Sequence, residues 1–374
     1  MRHVAYASLL HDRSKFASAL AGVAFAATLM LVQVGLYLGF LKSSSDVVAH
    51  GGRDLWVMSR GTQVFDYGEA VSPAALSAVL AHPCVESAYP LIFGWTTLRK
   101  PSGAVDNLVV IGSDIGAGPM IPWSMRDGLP SDLNAPMRVA VDAGDLARLQ
   151  LPPGPLGARL EVGGKEVYVA AVTDKIRAFT LTPYLFAGLD TSRRLLGIAD
   201  GRSTFYTIEL ADKACVADVI KAVESNPDLQ AVPHAAFVAM TQKYWIDGSG
   251  AGAMLGLSAI LGLVVGAVIV GQTLYSLTKD HHRELATLKA MGASGRQLAA
   301  FVLWQAALLA SLGGVLGVLV ALWLGGLAEG AGMNVVLTAG VVASGLATIA
   351  TMCGLASWWS VSRVLSLDAA EVFK

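Results

Sequence analysis

The chain has 374 residues, 54% of them hydrophobic and only 15% charged, with a mean hydropathy of +0.56 and a formal net charge of -1. That apolar balance excludes an ordinary soluble domain and places the chain in the membrane class. With no basic run, nothing supports nucleic-acid binding.

Residues 1–15 read as a cytoplasmic interfacial helix. Tyr6, Leu9 and Leu10 form its apolar side, and Arg2, Arg13 and Lys15 suit anionic lipid heads. Phe16–Leu41 is the first of four stretches without Asp, Glu, Lys or Arg, followed by Gly248–Thr278, Gln297–Ala328 and Gly330–Ser362. Each exceeds the ~20 residues that cross a hydrocarbon core of about 30 Å. The predicted transmembrane helices are 16–41, 248–278, 297–328 and 335–362. The first apolar run continues past Ala24–Ala27 and is too long for a signal-peptide core, so it reads as an uncleaved anchor. Lys and Arg gather at Arg2, Arg13 and Lys15, at Lys279, Arg283, Lys289 and Arg296, and at Arg363 and Lys374, while Glu329–Asn334 has none. By the positive-inside rule both termini and the tail 363–374 lie in the cytoplasm, in a multi-pass cytoplasmic (inner) membrane protein. The expected fold class is an α-helical membrane protein with four transmembrane helices plus a large α+β extracytoplasmic domain inserted between helices 1 and 2.

That domain, 42–247, alternates strands and helices. Asp54–Ser59, Val85–Tyr89, Trp95–Arg99 and Asn107–Ser113 read as strands, and Ser72–His82 as a helix ended by Pro83. Thr204–Leu210, Cys215–Ser225 and Leu229–Pro233 repeat the order strand, helix, strand. The stretch 115–201, broken at Pro152-Pro153 and Gly163-Gly164, reads as a β-rich insert. Phe179–Phe186 is apolar and is expected as a buried strand pair rather than an exposed loop. Cys84 and Cys215 sit in a compartment that permits a disulfide, but without a motif they are expected to be unpaired. Tyr244, Trp245, Trp304, Trp323, Trp358 and Trp359 fall where interfacial depth anchors belong.

Small residues mark helix contacts. Gly35 and Gly39 lie in span one, Gly313 and Gly317 in span three. Span two is richest, with Gly248, Gly252, Gly256, Gly262 and Gly266, and is the expected helix-packing and dimer seam, because close backbone approach drives association in lipid.

Residues 279–296 form a short charged stretch between two apolar runs. Leu285, Leu288 and Met291 share one helical face, Glu284, Lys289 and Arg296 decorate the rest, Gly292 is a stop and Ser294 a new start. This is a cytoplasmic amphipathic helix suited to docking a soluble partner, or a solvated connector. The wording Glu284-Leu285-Ala286-Thr287-Leu288-Lys289-Ala290-Met291-Gly292-Ala293-Ser294 resembles the cytoplasmic loop of MacB/FtsX-type ABC transporter permeases, with the DevC branch nearest in flavour. In that family the helix sits against the ATPase subunit, and the order of spans extends the likeness to the whole chain. The resemblance implies a homodimer carrying two ABC ATPase subunits and a periplasmic adaptor (membrane-fusion) protein, in contact with membrane lipid. ATP and Mg are expected on the ATPase, with no cofactor bound by this chain. It further implies mechanotransmission, with Glu284, Leu285, Leu288, Lys289, Met291 and Gly292 as the ATPase-coupling surface and 115–201 as part of a two-lobed periplasmic region. The cargo class that the resemblance implies is a lipid, lipoprotein, peptide or hydrophobic compound. The alternatives are an FtsX-like regulator of a cell-wall hydrolase and a LolC/LolE-like lipoprotein-release subunit.

No phosphate loop, HExxH or GxSxG occurs, and adjacent His281-His282 would point about 100° apart on a helix. The spans hold no ionisable Asp, Glu, Lys, Arg or His, which argues against a proton pathway or an intramembrane hydrolase. The chain is expected not to be an enzyme.

Overall fold

In chain order, a computed structural model begins with helix α1 (Arg13–Gly51), strand β1 (Leu55–Ser59) and a one-turn helix α2 (Ser77–Leu80). The long strand β2 (Val85–Arg99), β3 (Val105–Ser113), β4 (Met125–Asp127) and β5 (Arg138–Asp142) follow. Next come α3 (Leu146–Leu149), β6 (Arg159–Val162), β7 (Lys165–Thr173), β8 (Tyr184–Gly188) and α4 (Leu189–Leu196). Strand β9 (Phe205–Leu210), α5 (Val216–Glu224), β10 (Leu229–Pro233) and α6 (His234–Lys243) lead to a π-turn at Tyr244–Gly248. The last three helices are α7 (Ala251–Asp280), α8 (Gly295–Gly330) and α9 (Ala339–Leu365). The structure describes residues 13–119, 122–280, 287, 289, 291–330 and 332–365; of the interfacial helix expected at 1–15, residues 1–12 lie outside the described residues, as does most of the tail 363–374, and residues 13–15 are the start of α1 rather than a separate helix.

Two compact units result, one from Met1–Gly39 and Gly252–Lys374, the other from Phe40–Ala251. In the first, all four helices are long and apolar enough to cross a membrane. Helix α1 is its central post. Ala19, Val23, Ala26 and Ala27 are buried, and the later helices bring small residues to meet them. A Cβ on Gly317 of α8 would lie 2.5 Å from Ala27 Cβ and 2.8 Å from the Ala24 carbonyl oxygen; one on Gly345 of α9 would lie 2.5 Å from Leu31. Only glycine permits these approaches, which replace lipid contacts with dense packing. The chain just before α9 also lies on α1: Val336 N donates to the Gly35 carbonyl at 3.0 Å.

In the second unit, β10, β1, β9 and β2 form an antiparallel sheet whose register includes Trp56 opposite Val232 and Thr207. Leu55, Val57, Ile208 and Leu229 pack under α5 with Val219 and Val223. The far half of β2 passes into a closed ring of six strands, β2, β3, β8, β5, β7 and β6, with β6 returning to pair Val162 with Leu98 of β2. Its interior is filled by Leu98, Val110, Val139, Leu160, Val169 and Leu185. The β-rich insert therefore is not bounded at 115–201: its barrel takes in β2 and β3. The strands expected at Val85–Tyr89 and Trp95–Arg99 are one. Pro90 does not break β2 because pairing to β3 begins only at Leu91, so the missing N–H faces no partner strand.

Helix bounds also shift from the apolar runs. Helix α1 continues past Leu41 to Gly51 because Val47 and Val48 find a core of Trp56, Phe205 and Phe237. The span expected at 248–278 begins at Ala251, behind the π-turn and Gly250, whose φ is +72°. Residues 333–338 form no regular secondary structure, so the last span starts at Ala339 rather than at 335.

Candidate coupling site

The elbow between α7 and α8 is partly described; Glu284, Leu285 and Leu288 lie outside the described residues. Thr287 and Lys289 are helical, Met291 N donates to the Thr287 carbonyl and Gly292 N to that of Lys289, both at 3.0 Å. Gly292, at φ +95°, ends this helix in the left-handed region. Helix α8 starts at once: the Ser294 N–H donates to Gln297 Oε1 at 2.9 Å, the returning half of a capping box. The spacing Ser294-x-x-Gln297 carries that signal in the sequence. Met291 is 72% exposed, whereas Leu298 and Phe301 at the start of α8 are buried. An exposed methionine on a tight helical turn is a flexible apolar contact for a protein surface.

The span-two glycines serve contacts within the chain. Gly262 lies against Gln33 and Gly266 against Ala26 of α1, and Gly256 faces the Tyr37 ring. Gly252 is buried, and Gly248 belongs to the π-turn, against Tyr244. Gly256, Gly262 and Gly266 thus lie against α1, and Met254, Leu257, Leu261, Val264 and Val268 are exposed elsewhere on the helix.

A second cluster lies in the other unit and has no counterpart in the sequence pattern. Trp245, expected as a depth anchor, is buried: its Nε1 donates to Asp66 Oδ2 at 3.2 Å and its ring meets Phe179 at 4.5 Å. Phe179 also packs edge-on against Phe40 of α1 at 5.2 Å. Asp66, 8% exposed, accepts at its backbone carbonyl from Trp95 Nε1 at 3.2 Å. Burial pushes the Asp66 carboxyl up to about 6, against the opposing Trp245 hydrogen bond. Phe179 therefore sits on a loop, and of Phe179–Phe186 only Tyr184 onward is strand. The loop is fastened at both ends. Buried Asp142 accepts from Ile176 N at 2.9 Å and Thr173 Oγ1 at 3.0 Å, and the Arg148 guanidinium donates to the Leu181 carbonyl. Lys175 and Leu181, at φ 62° and 58°, bracket it with strained backbone of the kind that persists only where surroundings enforce it.

Cys84 and Cys215 are joined by a disulfide, contrary to expectation, closing a separation of 131 residues beside the α5 core. Nothing in their sequence neighbourhood reveals it, because the pairing depends on β2 and β9 lying side by side. Among the described residues no group of three or more His, Cys, Asp or Glu is placed to hold a metal ion.

The fold defines a polytopic membrane protein with a large mixed α/β insertion after its first span. The profile for the FtsX-like permease C-terminal matches residues 256–369, and that for the MacB-like periplasmic core domain matches residues 16–226. The chain belongs to the MacB/FtsX-type ABC transporter permeases. An ABC transporter permease of Mycobacterium bovis is 28% identical over 361 residues, covering 94% of this chain and 93% of that one. One from Mycobacterium tuberculosis is 26% identical over 371 residues with the same coverage. The periplasmic region of MacB from Actinobacillus actinomycetemcomitans aligns with a TM-score of 0.39 and 11% identity, over 51% of this chain and 92% of that one. The extracellular domain of the noncanonic ABC-type transporter YknZ aligns with a TM-score of 0.36 and 12% identity, over 48% and 98%. Family membership implies an ATPase partner.

Proposed function

We propose that the chain is the transmembrane subunit of an exporter of the MacB/DevC kind. It works as a homodimer in the cytoplasmic membrane with both termini in the cytoplasm, and carries ATP and Mg only on a separate ATPase. The observation that carries this reading is the elbow: a helical turn exposing Met291, closed by Gly292 and joined directly to the capped start of α8. Four crossings put this elbow on the same side as both termini, where Lys279, Lys289 and Arg296 favour the cytoplasm. Closure of two ATPases against Glu284, Leu285, Leu288, Lys289, Met291 and Gly292 shifts α7 and α8 and re-poses the outer unit. The Cys84–Cys215 disulfide supports an oxidising, extracytoplasmic setting for that unit. A periplasmic adaptor on the outer unit would hand on a lipid, lipoprotein, peptide or other hydrophobic cargo.

The test is Met291→Asp in the reconstituted complex with its ATPase. Insertion and the amount of permease should be unchanged, while stimulated ATP hydrolysis falls at least tenfold; full stimulation by the variant would refute the docking role.

A further inference from the structure

Next to the elbow, the ends of α1 and α7 part around a cleft of about 310 Å³. Lys15 and Ser18 face Gln272, Thr273, Ser276 and Asp280 across it, over a floor that includes Ala19 and Leu277. Its polar groups are unusual for this chain. Thr28, Thr278, Thr348, Thr351 and Ser357 each return their hydroxyl hydrogen to the carbonyl four residues earlier in their own helix. The side chains of Gln272, Thr273 and Ser276 make no hydrogen bond to any described residue. A hydroxyl or amide near hydrocarbon is best satisfied by an acceptor, and the described residues offer these three side chains none.

Depth and charge define the missing acceptor. Lys15 and Asp280 lie just outside the charge-free runs Phe16–Leu41 and Gly248–Thr278, so they mark the membrane surface. They face one another at 4.0 Å and are 48% and 40% exposed. At 1.5 Å per residue, Ser276 lies about 6 Å and Thr273 about 10 Å deeper along α7. That is the layer of phosphate and glycerol ester groups between water and acyl chains. We infer that the cleft is a binding site for a zwitterionic phospholipid headgroup of the ammonium-phosphate class. Its ammonium faces Asp280 and its phosphate faces Lys15. The glycerol ester oxygens accept from Thr273, Ser276 and Gln272, and the acyl chains leave over the apolar floor. A purely anionic headgroup would bring no cation to Asp280, and a free phosphate would leave that floor uncovered. This inference needs only the membrane crossing and stands or falls independently of the exporter reading.

The full chain, purified from vesicles of equal phosphatidylethanolamine and phosphatidylglycerol, is examined by native mass spectrometry for retained lipid. The expected result is phosphatidylethanolamine retained about tenfold over phosphatidylglycerol. The double variant Thr273→Val, Ser276→Ala should lower retention to that of bulk lipid, and Ser344→Ala on α9, whose hydroxyl bonds its own helix, should leave it unchanged. Asp280→Asn should abolish the preference between the two lipids, and it decides the matter alone if the double variant does not elute as the native particle. Equal retention of both lipids by the unaltered protein, or no change in Asp280→Asn, would overturn the site. Displacement of the lipid by excess inorganic phosphate would also overturn it, in favour of a free-anion site.

Discussion

Replacing Asp66 by Asn should make the protein more stable at neutral pH. The carboxyl rises from 3.8 to about 6 because burial disfavours its charged form, and the Trp245 N–H only partly offsets this. A rise of that size corresponds to about 3 kcal/mol between the protonation states. The folded protein holds this proton more tightly than the unfolded chain. The contribution is therefore fully present below about pH 4, fades as pH rises through about 6, and is gone at pH 7.5. Asn at position 66 keeps an oxygen for Trp245 and carries no charge. The variant should gain up to about 3 kcal/mol at pH 7.5, or roughly 6–12 °C in Tm for a domain of this size, and nothing at pH 4. Thermal unfolding followed by tryptophan fluorescence between pH 4 and 8 measures the gap. A variant that melts below the parent at pH 7.5, or a gap that does not close on acidification, would refute the assignment of a burial-strained carboxylate.

Phe179→Ala and Trp245→Leu should each destabilise the outer unit, and their double-mutant cycle should show a coupling of about 1 kcal/mol for the ring pair at 4.5 Å. Additive losses in urea unfolding would show that the two rings act separately. Cys84→Ser should lower the stability of the outer unit by up to about 5 kcal/mol, the loop-closure value for a separation of 131 residues. Dithiothreitol should shift the melting of the parent but not of the variant, and equal shifts would count against the bridge.

The parts of this molecule set by local chemistry were legible beforehand. Uncharged runs gave the four helices, and alternation with turn residues gave β1, β3, β9 and β10 to within a few residues. What escaped was pairwise. Barrel closure rests on Val162 meeting Leu98, which no pattern in either strand announces. The same holds for Cys84 and Cys215, and for Trp245, whose place before an apolar run suggested an interface when its indole N–H had a buried acid to satisfy. Glycine spacing showed that close contacts exist but not with what: Gly256, Gly262 and Gly266 of α7 lie against α1 of the same chain. The elbow was legible as turn chemistry, at Gly292 and Ser294, because a left-handed stop and a capped start are properties of a few consecutive residues.

The central position of α1 has a consequence for how the molecule is made. Translation delivers this helix before α7, α8 and α9, and the glycines that embrace it, at 262, 266, 313, 317 and 345, emerge only after the whole disulfide-bearing unit. During that interval Ala19, Val23, Ala26 and Ala27 face lipid alone. Biogenesis is therefore a late recruitment of three newcomers onto a waiting partner, and errors in it would surface as abandoned single-anchor chains rather than as misfolded outer units.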